Sequence, residues 1–509
     1  MKKYLVWIGA AVLVMGLVSP SMAQYTGTGA FKSYGHVEVE TVWAQNLKTF
    51  NKDAGDNRRQ VAERFRYYLE YGDVKTVRAI IGIEANAQQF GEPPAATANF
   101  NAGDPGGNFI TNPGTIGQPG LANRNKMGAY QTDQASLLVH RAYLEFTIPN
   151  TPISMRAGLF NQMAGGYLGR FWLFNDIPGI DVVANFAPHT IKLFWHKENK
   201  QNLFTDNDND MYGAVYRLSQ KQFNIEAFFG YRHDNRTQTE AWAFVPATTP
   251  TGGSVTPTTT ALTGGTTQWI PQQTITARTY AVKPWWLGAN VPMMFGNFKV
   301  DPTLIYMGGK AQDPYGGSTA ASVDFDAWLA DLQVSYRLGP GLAFLGEFFY
   351  TTGTDANKRD KANQYQWASA SEGRNVFGNG WSVFYYGNTE LTYYGYKQLD
   401  PGGTAYARAN AEFNPFAWLN LNVNYLYIWS TNKDTNGTIV GARTDQTKTD
   451  IGQEINLIGK IKIYENFIYA VGFGYFIPGA IFDNSTLNPG PDRSAQQAWN
   501  LLTNLKYSY

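Results

Sequence analysis

Hydrophobic and polar residues alternate one for one along most of this chain. The stretch WLNLNVNYLYIW at 418–429 sets Leu419, Leu421, Val423, Tyr425, Tyr427 and Trp429 against Asn420, Asn422 and Asn424. Successive side chains of an extended chain point to opposite faces, so a period of two predicts a strand with one apolar and one polar side. The pattern recurs. Val37, Val39, Thr41 and Trp43 alternate with His36, Glu38 and Glu40, and Phe65, Tyr67, Leu69 and Tyr71 with Arg64, Arg66, Tyr68 and Glu70. Ala142, Leu144, Phe146 and Ile148 oppose Arg141, Tyr143 and Glu145. Near the end, Ile451, Ile455, Leu457, Ile461 and Ile463 oppose Asp450, Glu454, Asn456, Lys460 and Lys462.

The breaks between these runs come in two lengths. Gly72-Asp73, 149–152, 187–189, 219–222, 339–341, 414–417 and 464–466 are tight turns of turn-forming residues. Between them lie long connections, notably 87–134, 161–179, 233–273 and 351–403, several rich in Gly, Pro, Asn or Thr. Short connections at one end and long ones at the other are the asymmetry of a transmembrane barrel with periplasmic turns and external loops. The pattern predicts an all-β fold, a transmembrane antiparallel β-barrel of about 18 strands, with 16 as the alternative count. Two regions make the count soft: 284–301, which is poorly periodic, and FYYGNTELTYYGY within 351–403, which reads as a hairpin on the loop or as a further wall strand.

Composition agrees with strands and turns. Glycine numbers 52, aromatics reach 15% and charged residues 16%, against about 25% in ordinary soluble domains. No run after the first residues has the 18 consecutive apolar residues of a membrane helix, but an alternating wall would not show one. At the start, Lys2 and Lys3 precede an apolar run from Tyr4 to Val18, and Ser21 and Ala23 stand before a cleavage position ahead of Gln24. This layout predicts a signal peptide at 1–23, a single barrel domain over 24–509 and export to the bacterial outer membrane.

Charge and cysteine content narrow the chemistry. Without Lys2 and Lys3 the count falls from 41 basic and 40 acidic residues to 39 and 40, a net of −1, which argues against nucleic acid as a partner. Cysteine is absent, so a disulfide framework, a thiolate metal site and CxxCH haem attachment are all excluded. The five histidines show no HExxH spacing, no GxSxG elbow occurs, and TGTGAF at 26–31 is no dinucleotide fingerprint. No enzymatic activity and no cofactor are expected. DNDND, with Asp206, Asp208 and Asp210, looks like the start of a calcium loop, but Met211 replaces the turn glycine and Arg217 the closing glutamate. A loosely held external Ca2+ is the furthest reading it supports. The last strand ends on Tyr509, and a terminal aromatic looks like the signal that outer-membrane proteins offer to their barrel-assembly machinery.

RRQVAERFRYYLEY (58–71), HRAYLEFTIPNTPISMRAGLF (140–160), LFNDIPGIDVVANFA (173–187) and IKLFWHKENKQN (191–202) resemble, in that order, the outer-membrane homotrimeric porins of sulfate-reducing and related bacteria. The similarity covers roughly 30–235. It implies a homotrimer of barrels, set in outer-membrane lipid and lipopolysaccharide, through which small hydrophilic solutes diffuse.

In such a pore the lining charges set the field. Arg64, Arg66, Arg78, Arg141 and Arg156 lie on the polar face of neighbouring strands, with Glu70, Glu84 and Glu145 on the same face. They form either one basic wall or a neutral ladder of pairs. The stretch NQMAGGYLGRFWLFNDIPGID (161–181) combines glycines with Phe171, Trp172 and Phe174, and carries Asp176 and Asp181. Folded into the lumen it would bring Asp176 opposite the arginines, whereas the plainer alternative is a surface or trimer-contact loop. Rivals to a general pore are a selective channel resembling the alginate-export family, the barrel sheath of a porin–cytochrome conduit, and a soluble exported β protein.

Overall fold

The computed structural model describes residues 31–46, 50, 58–73, 76–89, 137–163, 171–200, 208–234, 237–238, 278–279, 282–312, 322–353, 361–366, 368–370, 382–383, 403–431, 448–483 and 494–509. The signal peptide expected at 1–23, FYYGNTELTYYGY at 384–396 and most of the loops at 87–134 and 233–273 lie outside them.

Eighteen strands make the wall: β1 (Phe31–Gln45), β2 (Arg58–Gly72), β3 (Val77–Gln89), β4 (Leu137–Thr147), β5 (Ile153–Met163), β6 (Leu173–Phe186), β7 (His189–Lys200), β8 (Asp208–Ser219), β9 (Asn224–Asp234), β10 (Val282–Asn290), β11 (Phe298–Gln312), β12 (Ser322–Arg337), β13 (Leu342–Thr351), β14 (Thr404–Phe416), β15 (Leu419–Ser430), β16 (Asp450–Tyr464), β17 (Phe467–Pro478) and β18 (Ala498–Ser508). Each pairs antiparallel with its sequence neighbours. β1 pairs with β18 from His36 opposite Ser508 to Gln45 opposite Trp499, which closes the sheet and leaves no open edge. The count is therefore 18, and the barrel closes without any wall strand from 384–396.

Both chain ends of the wall and the eight short turns lie at one end, termed here the turn end. The nine long connections lie at the other, the loop end. The irregular stretch 284–301 is wall after all. β10 stops at Asn290, Pro292 breaks the ladder because it has no N–H to donate, and Met293–Phe295 resumes the pairing with β11.

The outward face is mainly hydrocarbon. Leu144, Leu193, Phe229, Leu304, Phe348, Val423 and Leu457 all project from the wall and are exposed. The opening segment behaves as its alternation predicts: Leu421, Val423, Tyr425 and Tyr427 point out, while Asn422 and Asn424 are buried inside. One parity reading changes. Ile451 shares the period of Ile455, yet it lies fully buried inside, because the register slips there: Ile428 faces Gly452 and Trp429 faces Asp450. Gly452 holds φ 144°, a conformation open to glycine, and the extra residue turns Ile451 inward.

Candidate pore lining and constriction

Along many of the strands, most clearly β10 to β15, the inward positions change character between the two ends. On β15 they read Asn420, Asn422, Asn424, then Leu426 and Ile428. On β12, from the turn end upward, Gln333 and Asp331 give way to Leu329, Ala327, Phe325 and Val323. Glu226 on β9 is followed by Phe228, Thr303 on β11 by Ile305 and Met307, and Glu347 on β13 by Phe349. On these strands the lumen is thus polar in its turn-end half and mainly apolar in its loop-end half, while Asn209, Asp234 and Glu454 are buried polar groups near the loop ends of β8, β9 and β16.

Inserted chain fills the apolar half. Pairing of β4 with β5 ends at Ala142 opposite Leu159, and pairing of β6 with β7 ends at Gly179 opposite His196. β5 and β6 nevertheless stay paired to Met163 opposite Phe174. The top of this hairpin has therefore left the wall on both sides, and it leans inward. Its Phe171, Trp172, Leu173, Phe160 and Ile177 are all buried. Trp172 stacks on Phe228 of β9 with ring centroids 3.8 Å apart. Phe171 reaches Phe349 of β13, across the barrel, at 5.6 Å. Trp172 fits because β9 carries a glycine beneath it: a Cβ on Gly230 would lie 2.1 Å from the Trp172 ring.

A second inserted segment, from within 351–403, locks onto the first. The Tyr365 hydroxyl donates to the Phe171 carbonyl at 2.9 Å, and the Ala368 N–H donates to the Trp172 carbonyl at 3.0 Å. Trp286 of β10 donates through Nε1 to the Gln366 carbonyl at 3.0 Å, and Arg232 donates to the Ala368 carbonyl. Further along, Val383 N–H and Ser382 Oγ donate to the two oxygens of Glu454 at 2.7 and 3.0 Å, inside the wall of β16. Glu454 is fully buried, so this carboxylate fastens the segment where water cannot compete.

The expected lining residues lie on β2 to β6. Each arginine meets acids on neighbouring strands. Arg64 lies 3.8 Å from Glu38 and 3.3 Å from Glu84, and Arg66 lies 2.5 Å from Glu84. Arg78 bridges Glu70 at 3.2 Å and Glu145 at 2.8 Å. Arg141 stands 3.8 Å from Asp176, and His140 Nδ1 is 3.0 Å from the same carboxylate. Arg156 contacts Asp181 at 2.6 Å, where Lys192 at 3.0 Å and His196 at 3.1 Å also converge. The arrangement is a ladder of alternating charge. Asp176 belongs to the inserted hairpin and meets the wall at Arg141, whereas Asp181 is a wall residue of β6. Residues 164–170 of the same stretch lie outside the described residues.

Sequence reading missed two parts of this lining. Glu38, on the first strand, and Lys506, on the last, meet at 3.6 Å only because the barrel closes there. Beyond β13 the lining changes again, to Arg408 against Glu347 at 2.8 Å and an amide network in which Asn410 and Asn424 bond along β14 and β15. The repeated Asn of 420–424 was the visible signal of that sector.

The calcium-like stretch is partly occupied by other contacts. Asp210 lies 3.0 Å from Lys197 and accepts from Trp195 Nε1 at 3.2 Å; Asp206 lies outside the described residues. Among the described residues no group of three His, Asp or Glu side chains has metal-binding geometry.

No protein-family model and no curated protein matches the chain. Among solved structures it is similar to OccK3 (OpdO) of Pseudomonas aeruginosa, at 11% identity over 94% of this chain and 96% of that one, with a TM-score of 0.47. It is also similar to OpdK of the same organism crystallised with vanillate, at 9% identity over 94% and 98%, TM-score 0.45. A trimer form of OmpT, an outer-membrane protein of Vibrio cholerae, aligns at 9% identity over 95% and 100%, TM-score 0.42. Likeness this distant says nothing of solute or assembly, and the barrel stands on its own strand register.

Proposed function

We propose that the chain is an outer-membrane porin that passes small hydrophilic solutes and ions. The observation that carries this reading is the closed wall with hydrocarbon outside and, in its turn-end half, a continuous charged and amide lining inside. A soluble protein would leave that outer surface facing water, whereas lipid satisfies it without cost. The turn end then faces the periplasm and the loop end the outside. The segment resemblance over 30–235 supports a homotrimer of the kind found in sulfate-reducing bacteria.

One observation favours a selective channel over a wide general pore. The hairpin of β5 and β6, together with 361–370 and 382–383, occupies much of the loop-end half with side chains that exclude water. Whatever path remains is narrow and passes the ladder of Arg64, Arg66, Arg78, Arg141 and Arg156. Neither reading requires a cofactor.

Conductance of the purified protein in a planar bilayer tests the proposal. A porin gives defined unit steps, and a trimer closes in threes. Absence of any step conductance from folded, inserted protein would overturn the pore reading, and ion selectivity with competing solutes would separate a general pore from a selective one.

A further inference from the structure

On the outward wall, one row is built of charge instead of hydrocarbon. At the loop ends of β10, β11 and β12, Lys283 stands directly opposite Lys310 and Lys310 directly opposite Asp324. Residues 361–362 add a short parallel strand to β12, which sets Lys361 beside Asp324 in the same row. Trp286, Met307 and Phe325 occupy alternate positions and are buried inside, so the charged set lies on the outer face.

The row does not balance itself. Lys310 lies 3.4 Å from Asp324, both well exposed, and Lys361 lies 2.9 Å from Asp326. Lys283 has no hydrogen-bond or ion-pair partner among the described residues. Among the described residues, three ammonium groups thus share two carboxylates. Two like charges directly opposite on neighbouring strands repel, with Cβ atoms only about 5 Å apart. An anion between Lys283 and Lys310 would remove that repulsion.

The depth of the row says what kind of anion. One side-chain step toward the turn end on β10 and two on β11 and β12, Trp285, Tyr306 and Trp328 form an aromatic row, with ring centroids 5.3 Å and 4.5 Å apart. Aromatic rows on a barrel's outer face lie at the level of lipid headgroups. Charge just beyond them, on the loop-end side, meets the phosphates of the outer leaflet.

We propose that Lys283 and Lys310 bind a phosphate group of an anionic glycolipid of the outer leaflet, with Lys361 as a third cation and the Trp285–Tyr306–Trp328 row against the lipid's apolar boundary. Two phosphate-binding ammonium groups above a strip of aromatic surface fit an amphiphile better than a free ion, because only the amphiphile uses both. The site rests on the membrane placement proposed above, and it needs no part of the pore lining.

The test is lipid retention by the detergent-purified full barrel, read by native mass spectrometry. The probes are a diphosphorylated glycolipid, its dephosphorylated counterpart and inorganic phosphate. Wild type is expected to retain the phosphorylated glycolipid, and K283Q/K310Q to retain about thirtyfold less, the scale of two lysines beside anionic lipid. D324N, which removes a competing carboxylate, should retain more. Equal retention by the double variant, equal retention of the dephosphorylated lipid, or displacement of the lipid by inorganic phosphate at similar concentration would each overturn the site. Heat-modifiable electrophoretic mobility checks folding, and D324N keeps the test open if the double variant does not fold. Unchanged conductance of the variants alongside lost lipid separates failure of this site from failure of the pore reading.

Discussion

The two halves of the lumen are built from the same strands, yet they are different materials. In the turn-end half the inward side chains are charged or amide, and they satisfy one another laterally, strand to strand, as in Arg78 between Glu70 and Glu145. In the loop-end half the inward side chains are mainly apolar, and they are satisfied across the barrel by inserted chain, as in Phe171 on Phe349. The first half is a lattice of paired polar groups laid along the inner wall. The second is a protein core that happens to have a barrel around it. Stability and pore size are therefore governed mainly at one end, and ionic preference at the other.

The largest effect is expected from Trp172→Ala. It removes the stack on Phe228 and leaves a void above Gly230, and losses of about 3–5 kcal/mol accompany such truncations in packed cores. Thermal unfolding of the detergent-solubilised barrel should move down and unit conductance up; a conductance equal to wild type would show that the hairpin does not limit the path. Glu454→Ala comes next. The Val383 N–H and Ser382 hydroxyl lose their buried acceptor, a cost of about 1–3 kcal/mol for each group left unmatched. Faster proteolytic cutting within 371–402 and noisier channel currents are expected, and resistance like that of wild type would mean the segment is held elsewhere.

In the polar half the expected change is in selectivity. Replacing Arg64, Arg66 and Arg78 together with Gln leaves Glu38, Glu70, Glu84 and Glu145 without those cations, so the reversal potential in a salt gradient should move toward cation preference. An unmoved potential would place the ladder off the conducting path. The smallest effect is expected from Asn422→Ala in the amide sector: about 1 kcal/mol of stability, from lost side-chain hydrogen bonds with Asn410 and Asn424, and no change in ion preference. A change in ion preference as large as that of the arginine set would mean the two sectors do not differ in role.

Much of the wall was legible because parity is a local property. Which residues of 418–429 face out follows from alternation alone, and the same reasoning placed the arginines on the inner face. It failed where a local irregularity shifts the count, as at Ile451 beside Gly452. It also could not see partners brought together by closure, so Glu38 and Lys506 went unpaired in the sequence. The apolar loop-end lining was visible in outline, since Leu426 and Ile428 continue the parity of Asn422 and Asn424. Alternation alone gives one greasy face there, and nothing in a strand's own sequence says that its inner face is covered. That cover comes from residues such as Tyr365, far away in the chain and lying in a stretch with little periodicity. The Asp176 contact was anticipated as a field across the lumen; its geometry is a contact at the base of the hairpin, against Arg141.

The seam between β1 and β18 joins Thr41 to Thr503 across 462 positions of chain. Until residues 498–508 exist and are delivered, every partial wall has two raw edges, each a template for wrong pairing with another chain. Early strands can find their neighbours through short turns, but the last bond of the ring spans nearly the whole polypeptide, the slowest class of encounter. Assembly is thus all-or-none at its final step: seventeen strands are an aggregation hazard, and the eighteenth makes them a vessel.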